Sequence, residues 1–169
     1  VIPLEKEFVK ELSKLLSLND VLLICDEVQI GNGRSGKLYG YMNYDIQPDI
    51  FTTAKGLCGG LPLGATVFNE KTMNVLTPGT HGSTFGGNPV CCAGAISVLS
   101  RLDEDTLAGV KERSEYIISE LTGAEGIRSV TGLGLMLGIE TELGAKEVIK
   151  KCMEKGVLVI SAKEKVRLL

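Results

Sequence analysis

Two short apolar runs, each closed by one charged residue, limit what this chain can fold into. Val21-Leu22-Leu23-Ile24-Cys25 ends at Asp26, and Ile50-Phe51-Thr52-Thr53-Ala54 ends at Lys55. A continuous apolar run of this length reads as a strand covered on both faces by helices, the habit of parallel sheets in α/β domains. Open sheets of that kind bind ligands beyond the carboxyl ends of their strands. Asp26 and Lys55 therefore fall where a crevice would hold one carboxylate and one amine. A glycine-rich turn, Gly56 to Gly64, follows the lysine and lets a ligand come close to the backbone.

The remaining patterns surround those two runs. Leu4, Phe8, Leu12, Leu15 and Leu16 recur every three or four residues, which predicts an amphipathic helix over 4–18 with Pro3 in its first turn. Ala65 to Phe68 reads as a third strand. Asn88 and Pro89 suit the cap and first position of a helix, expected to reach about residue 102. A further helix is expected over 104–122, with Leu107, Val110, Ile117 and Leu121 on one face. Strands follow at 127–130 and 133–140, joined at Gly132, then a helix over 143–155 and a strand at 157–160. The expected fold class is α/β. Residues 1–103 read as the second part of a large domain with a mostly parallel sheet, and 104–169 as the start of a smaller α+β domain. Val1 is not an initiator methionine and Lys165-Val166-Arg167-Leu168-Leu169 reads as an unfinished strand, so the expectation is a piece of a longer chain.

Composition narrows the function classes. With 44% hydrophobic and 23% charged residues, a packed core is expected rather than disorder. The net charge is −3 and no basic block occurs, which argues against nucleic acid or an anionic membrane as partner. No apolar stretch approaches the ~20 residues of a membrane-spanning helix. The five cysteines include no Cys-x-x-Cys pair. They read as reduced residues of a cytoplasmic protein. His81 is the only histidine, and without a cluster around it no metal site is expected.

Several motifs carry chemistry, each with a plainer alternative. Asp26-Glu27 could be a solvated acidic pair, yet at a strand's carboxyl end a carboxylate calls for a cation. Lys55 is flanked by apolar residues and glycine, a setting that would desolvate it and free its amine. Together the two meet the needs of pyridoxal phosphate: a lysine for the aldehyde, and an acid to keep the pyridine nitrogen protonated. Gly31 to Gly36 matches G-x-G-x-x-G, with Asp49 further on. A dinucleotide site needs those glycines directly after the strand, and here Asp26 to Ile30 intervene. The loop is expected to be a shaped turn. Ser83-Thr84 lie between glycines ahead of a helix and suit a phosphate, or a simple turn. Arg167 suits a substrate carboxylate, or a surface ion pair.

The stretches Leu22 to Gly36, Pro48-Asp49-Ile50, Ala54-Lys55-Gly56, Pro62-Leu63-Gly64-Ala65 and His81 to Pro89, taken in order, resemble the class III aminotransferases, pyridoxal phosphate enzymes of fold type I. The resemblance implies that Asp26 binds the pyridine nitrogen and Gln29 the ring's phenolic oxygen. It implies that Lys55 carries the cofactor as a Schiff base and shuttles the substrate proton. Thr84, helped by Ser83, would reach the cofactor phosphate of a neighbouring subunit, which implies a homodimer. Arg167 would bind substrate. The implied partners are a small-molecule amino donor and 2-oxoglutarate. The chain departs from the family at Ile30 and Ser35, where threonine is common. The family's main phosphate loop, its stacking aromatic ring and a substrate arginine belong to an amino-terminal half that is not in this sequence.

Overall fold

In the computed structural model, which describes Val1–Leu169, the first apolar stripe forms helix α1 (Lys6–Leu18). Three strands follow: β1 (Ile24–Asp26), β2 (Ile50–Thr53) and β3 (Ala65–Phe68). They make one sheet in the order β1-β2-β3. β1 and β2 are parallel, whereas β2 and β3 are antiparallel. The expected mostly parallel sheet is thus a mixed one. The reason lies in the link from β2 to β3, which holds only a 3-10 turn, Lys55–Cys58. With no helix to carry a parallel crossover back along the sheet, the chain doubles back.

The apolar run at 21–25 enters the sheet late. Leu23 is bound instead to Asp49: its N–H donates to Asp49 Oδ2 at 2.8 Å. Its carbonyl accepts from the N–H groups of Asp49 and Ile50, at 2.9 and 3.2 Å. Asp49 Oδ1 also accepts from Asn69 Nδ2 at 3.0 Å. One carboxylate therefore ties the approach to β1, the start of β2 and the exit from β3. The Leu23 N–H, then Asn69 and the Lys71 charge, hold the Asp49 carboxyl below its ordinary range despite some burial. The run is not covered on both faces as expected: Ile24 is 59% exposed, because no helix of this chain packs over it.

Helix α2 (Pro89–Leu99) begins as its residues predict. Asn88 Oδ1 accepts from the N–H groups of Val90 and Cys91, at 3.0 and 3.2 Å. The helix stops short of residue 102, since Arg101 and Leu102 continue in i→i+3 turns. It lies hard against the turn after Lys55. A Cβ on Gly94 would stand 2.8 Å from Cys58 Sγ, and that thiol donates to the Cys91 carbonyl at 2.9 Å.

Helix α3 (Glu104–Leu121), capped by Asp103, leads into a second sheet. Its strands are β4 (Ile127–Leu133), β5 (Met136–Thr141), β6 (Ile160–Ala162) and β7 (Lys165–Leu168), with helix α4 (Ala145–Glu154) between β5 and β6. The order is β4-β5-β7-β6, antiparallel throughout. The β4–β5 reversal falls at Gly134-Leu135, not at Gly132. Gly132 pairs with Leu137 inside the ladder, and a Cβ there would collide with the Met136 carbonyl. The strand expected at 157–160 begins only at Ile160, because the Val157 N–H closes the end of α4 on the Cys152 carbonyl. Ile139, Ala145 and Val166 form the core of this part, with Leu121, Ile127, Val130, Val148, Val159 and Leu168 against them.

The β4–β5 hairpin tip joins the two sheets. Gly134 (φ +58°) lies against the Arg34 carbonyl, the Leu135 N–H donates to that carbonyl at 2.9 Å, and buried Ser114 of α3 donates to the Gly134 carbonyl at 2.6 Å. No helix is long and apolar enough to cross a membrane.

A carboxyl group whose folded pKa is depressed stabilises the fold above its unfolded pKa and loses that contribution as pH falls through the folded one. Asp49→Ala is therefore expected to lower stability by about 1–2 kcal/mol near neutral pH, a figure reduced for partial exposure. The gap from the parent should begin to narrow below about pH 4 and close once the pH is under the depressed folded value. Urea unfolding at a series of pH values measures it, and a pH-independent gap would assign the loss to packing instead.

Candidate active site

The register of β1 on β2 sets the site. Asp26 stands opposite Thr52, and Lys55 follows just beyond the end of β2. Both side chains thus leave the same edge of the sheet, at the carboxyl ends of neighbouring parallel strands. Asp26 Oδ1 accepts from the Val28 N–H at 3.0 Å and the Thr52 hydroxyl at 3.3 Å. Those bonds fix its rotamer and leave Oδ2 open. Lys55 opens the 3-10 turn with φ +51°, a left-handed conformation uncommon outside glycine. The expected desolvation of Lys55 is not found: the residue is exposed, because nothing in this chain roofs the sheet edge.

The two adjacent acids part company. Alternation along the strand points Asp26 outward and Glu27 inward. Glu27 is only 2% exposed. Its carboxylate accepts from the N–H groups of Gly40 and Tyr41, at 2.7 and 2.8 Å, at the opening of a 3-10 turn, Gly40–Tyr44. Charge-assisted bonds of this kind are the strong ones. Its backbone N–H donates to the Thr52 carbonyl at 2.9 Å, carrying the ladder one residue past Asp26. The buried charge is felt nearby. Burial pushes the Cys25 thiol up to about 11, with Glu27 adding to it. Tyr39 and Tyr41 are raised by burial and then by Glu27.

The loop from Gly31 to Gly36 is a shaped turn. A Cβ on Gly31 would stand 2.6 Å from the Glu27 carbonyl, and one on Gly33 would stand 3.2 Å from Leu102 and Leu107. These glycines pack against protein rather than line a phosphate cradle. Asp49, the acid a dinucleotide site would need, is committed to Leu23 and Asn69.

Gln29 and Arg167 come together from opposite ends of the chain. Arg167 Nη1 donates to Gln29 Oε1 at 3.1 Å across a separation of 138 residues. This leaves the Gln29 amide N–H groups free to donate. Arg167 forms no ion pair, and its buried Nε has no partner. Such an orphan donor suits an anionic acceptor. Ser83 and Thr84 sit in the exposed loop before α2 and make no hydrogen bond to the other four residues. The role of Thr52 was missed in the sequence because a threonine in a strand reads as β-propensity. The register to Asp26 was the missing signal.

The class-III aminotransferase family model matches residues 1–169. Acetylornithine aminotransferase of Haemophilus ducreyi is 40% identical over 100% of this chain and 44% of its own length. The ornithine delta-aminotransferase structure of Plasmodium falciparum superposes with a TM-score of 0.90 at 31% identity, covering 99% of this chain and 47% of that one. The ornithine aminotransferase of Toxoplasma gondii, whose active site holds pyridoxal phosphate at partial occupancy, matches with a TM-score of 0.86 at 34% identity over 98% of this chain and 42% of that one. The chain belongs to the class-III aminotransferases, a family that uses pyridoxal phosphate, and spans less than half the length of these relatives.

Glu27→Ala is expected to cost about 2–3 kcal/mol, the loss of two hydrogen bonds to a charged, buried acceptor. Glu27→Gln, which keeps one carbonyl acceptor, should lose less. Urea midpoints at constant m-value test this, and equal losses for both variants would show that a neutral carbonyl cannot stand in for the carboxylate.

Proposed function

We propose that this chain is the segment of a pyridoxal-phosphate-dependent aminotransferase that carries the cofactor lysine, and that the complete enzyme moves an amino group from N-acetylornithine to 2-oxoglutarate. The observation that carries the reading is the placement of Asp26 and Lys55 at the carboxyl ends of adjacent parallel strands. The residues present fit the cofactor. Asp26 has one carboxylate oxygen open, Gln29 has a free amide donor, and Arg167 has an orphan one.

When bound, pyridoxal phosphate supplies an electron-withdrawing ring that makes the C–H on the substrate's amine-bearing carbon acidic. Asp26 Oδ2 accepts the ring N–H and keeps that nitrogen protonated, while Thr52 and Val28 hold the carboxylate still. Gln29 Nε2 donates to the ring's phenolic oxygen, oriented by Arg167 on its other side. Lys55 Nζ would anchor the cofactor and serve as the base that carries the proton released from the substrate carbon bearing the amine. Arg167 grips a substrate carboxylate. Ser83 and Thr84 would give their hydroxyls to the cofactor phosphate of a second subunit, which accounts for their exposure and for the lack of hydrogen bonds to the other four residues, and makes the enzyme a homodimer. Residues 1–103 form part of the large domain and 104–169 the start of the small one.

N-acetylornithine is favoured as donor by the matched relative named for it. Ornithine and 4-aminobutyrate are the alternatives, ornithine because two similar structures are named for it. A second reading, a non-catalytic fragment, is favoured for the isolated 169 residues by the exposure of Lys55 and Ile24.

In the complete enzyme, Lys55→Ala should lower transamination at least ~10³-fold, and Asp26→Ala should lower it severely while cofactor is still retained. Near-parental rates for either variant would overturn that residue's role. Specificity constants for the three donors decide the substrate. Borohydride reduction of the 169-residue chain with pyridoxal phosphate, followed by peptide mapping, separates the readings. A label concentrated on Lys55 means that the site assembles in this chain. Scattered lysine labelling supports the fragment reading.

A further inference from the structure

We propose that Asn32 is a positioning residue for Lys55, its side-chain amide fixing the end of β2 so that the lysine leaves the strand in one direction. The proposal rests on Lys55 being the amine that holds the cofactor.

The starting observation is the Lys55 backbone. Its φ of +51° is unfavourable for a residue with a side chain and persists only where the surroundings hold it. Ala54 before it is still extended, with φ −164°, so the chain turns abruptly at the lysine. The holding contacts come from Asn32, in the loop after β1. Asn32 Nδ2 donates to the Ala54 carbonyl at 3.0 Å and to the Thr53 hydroxyl at 3.1 Å. That hydroxyl also lies 3.3 Å from Asn32 Oδ1, within reach to donate back. Thr53 is 2% exposed, so its bond is shielded from water. The Ala54 carbonyl accepts a second bond from the Leu57 N–H at 3.1 Å, the first of the 3-10 turn. Both lone pairs of that one oxygen are thus in use, one to the turn and one to Asn32. On the far side of Lys55, a Cβ on Gly56 would stand 3.9 Å from Asn32 Cβ. The side chain therefore binds the two residues before the lysine and lies near the one after it.

Asn32 is itself held in place. Its φ is +56°, a conformation asparagine tolerates better than most residues. Next to it, the Gly33 N–H donates to the Leu38 carbonyl at 3.0 Å. A rigid loop thus fixes the direction in which Lys55 leaves the strand. An amine that must serve both the cofactor and a substrate proton gains from a fixed origin, because small misplacements cost large factors in rate.

The test uses the complete, cofactor-loaded enzyme. Asn32→Gly deletes the amide while keeping the backbone conformation accessible. Asn32→Asp keeps the shape and one acceptor but removes both donated bonds. Thr53→Val removes the hydroxyl partner and leaves the Ala54 bond. The expected result is a kcat loss of about 10- to 100-fold for both Asn32 variants, with KM little changed and a smaller kcat loss for Thr53→Val. The pH midpoint of the visible absorption of the Lys55-bound cofactor should move in the same order, since it reports the surroundings of Nζ. Borohydride should still trap the cofactor on Lys55 in every variant. An unchanged spectral midpoint, or a rate loss that vanishes on cooling below each variant's melting range, would make Asn32 a merely structural residue and overturn the proposal. No trapping on Lys55 in the unaltered enzyme would instead remove the cofactor reading, and this proposal with it.

Discussion

Parallel pairing of β1 with β2 is the constraint on which the candidate site depends. Parallel strands present their carboxyl ends on the same edge of a sheet. The pairing turns a separation of 29 residues between Asp26 and Lys55 into neighbouring positions. The long link between the two strands, residues 27–49, gains its shape from the same pairing. The Glu27 backbone extends the ladder, its carboxylate gathers Gly40 and Tyr41, and Tyr39 packs against Phe51 with ring centroids 4.5 Å apart. Asp49 closes the opposite end of the sheet. Two carboxylates, one at each end of the strand pair, thus accept backbone N–H groups: Asp49 that of Leu23 just before β1, Glu27 those of Gly40 and Tyr41 in the turn beyond it.

Those two acids illustrate how one residue type serves opposed purposes. Glu27 is buried, and its cost of desolvation is offset by two short bonds from backbone amides. Asp26, one residue earlier, keeps an open oxygen toward the sheet edge. The strand's alternation separates them, so a structural charge and a candidate binding charge share a dipeptide. The same economy of position holds for Gln29, whose carbonyl is taken by Arg167 and whose amide remains available.

The first sheet is open where the second is closed. Ile24, Val67 and the α2 residues Val90 and Ile96 are between 39% and 69% exposed, and α2 is apolar on all sides. A helix of that kind is normally surrounded by protein. In the second part, Leu137, Ile139 and Val166 are buried within a four-stranded sheet carrying α3 and α4. The difference fits a chain that spans less than half of its relatives.

Much of this was legible in the residues. The apolar runs, the Asn88-Pro89 helix start and the two charged strand ends followed from local preference and periodicity, which depend only on near neighbours. The sequence by itself determined which residues could serve as acid, amine and anion binder, because those are properties of side-chain chemistry. It did not determine the antiparallel return of β3, the turn at Gly134, the inward placement of Glu27 or the exposure of Lys55. Nor could it join Gln29 to Arg167, or lay Asn32 across Thr53 and Ala54. Each of these depends on register and on contacts between distant segments, and tertiary structure alone decides which far-apart groups come within hydrogen-bonding distance.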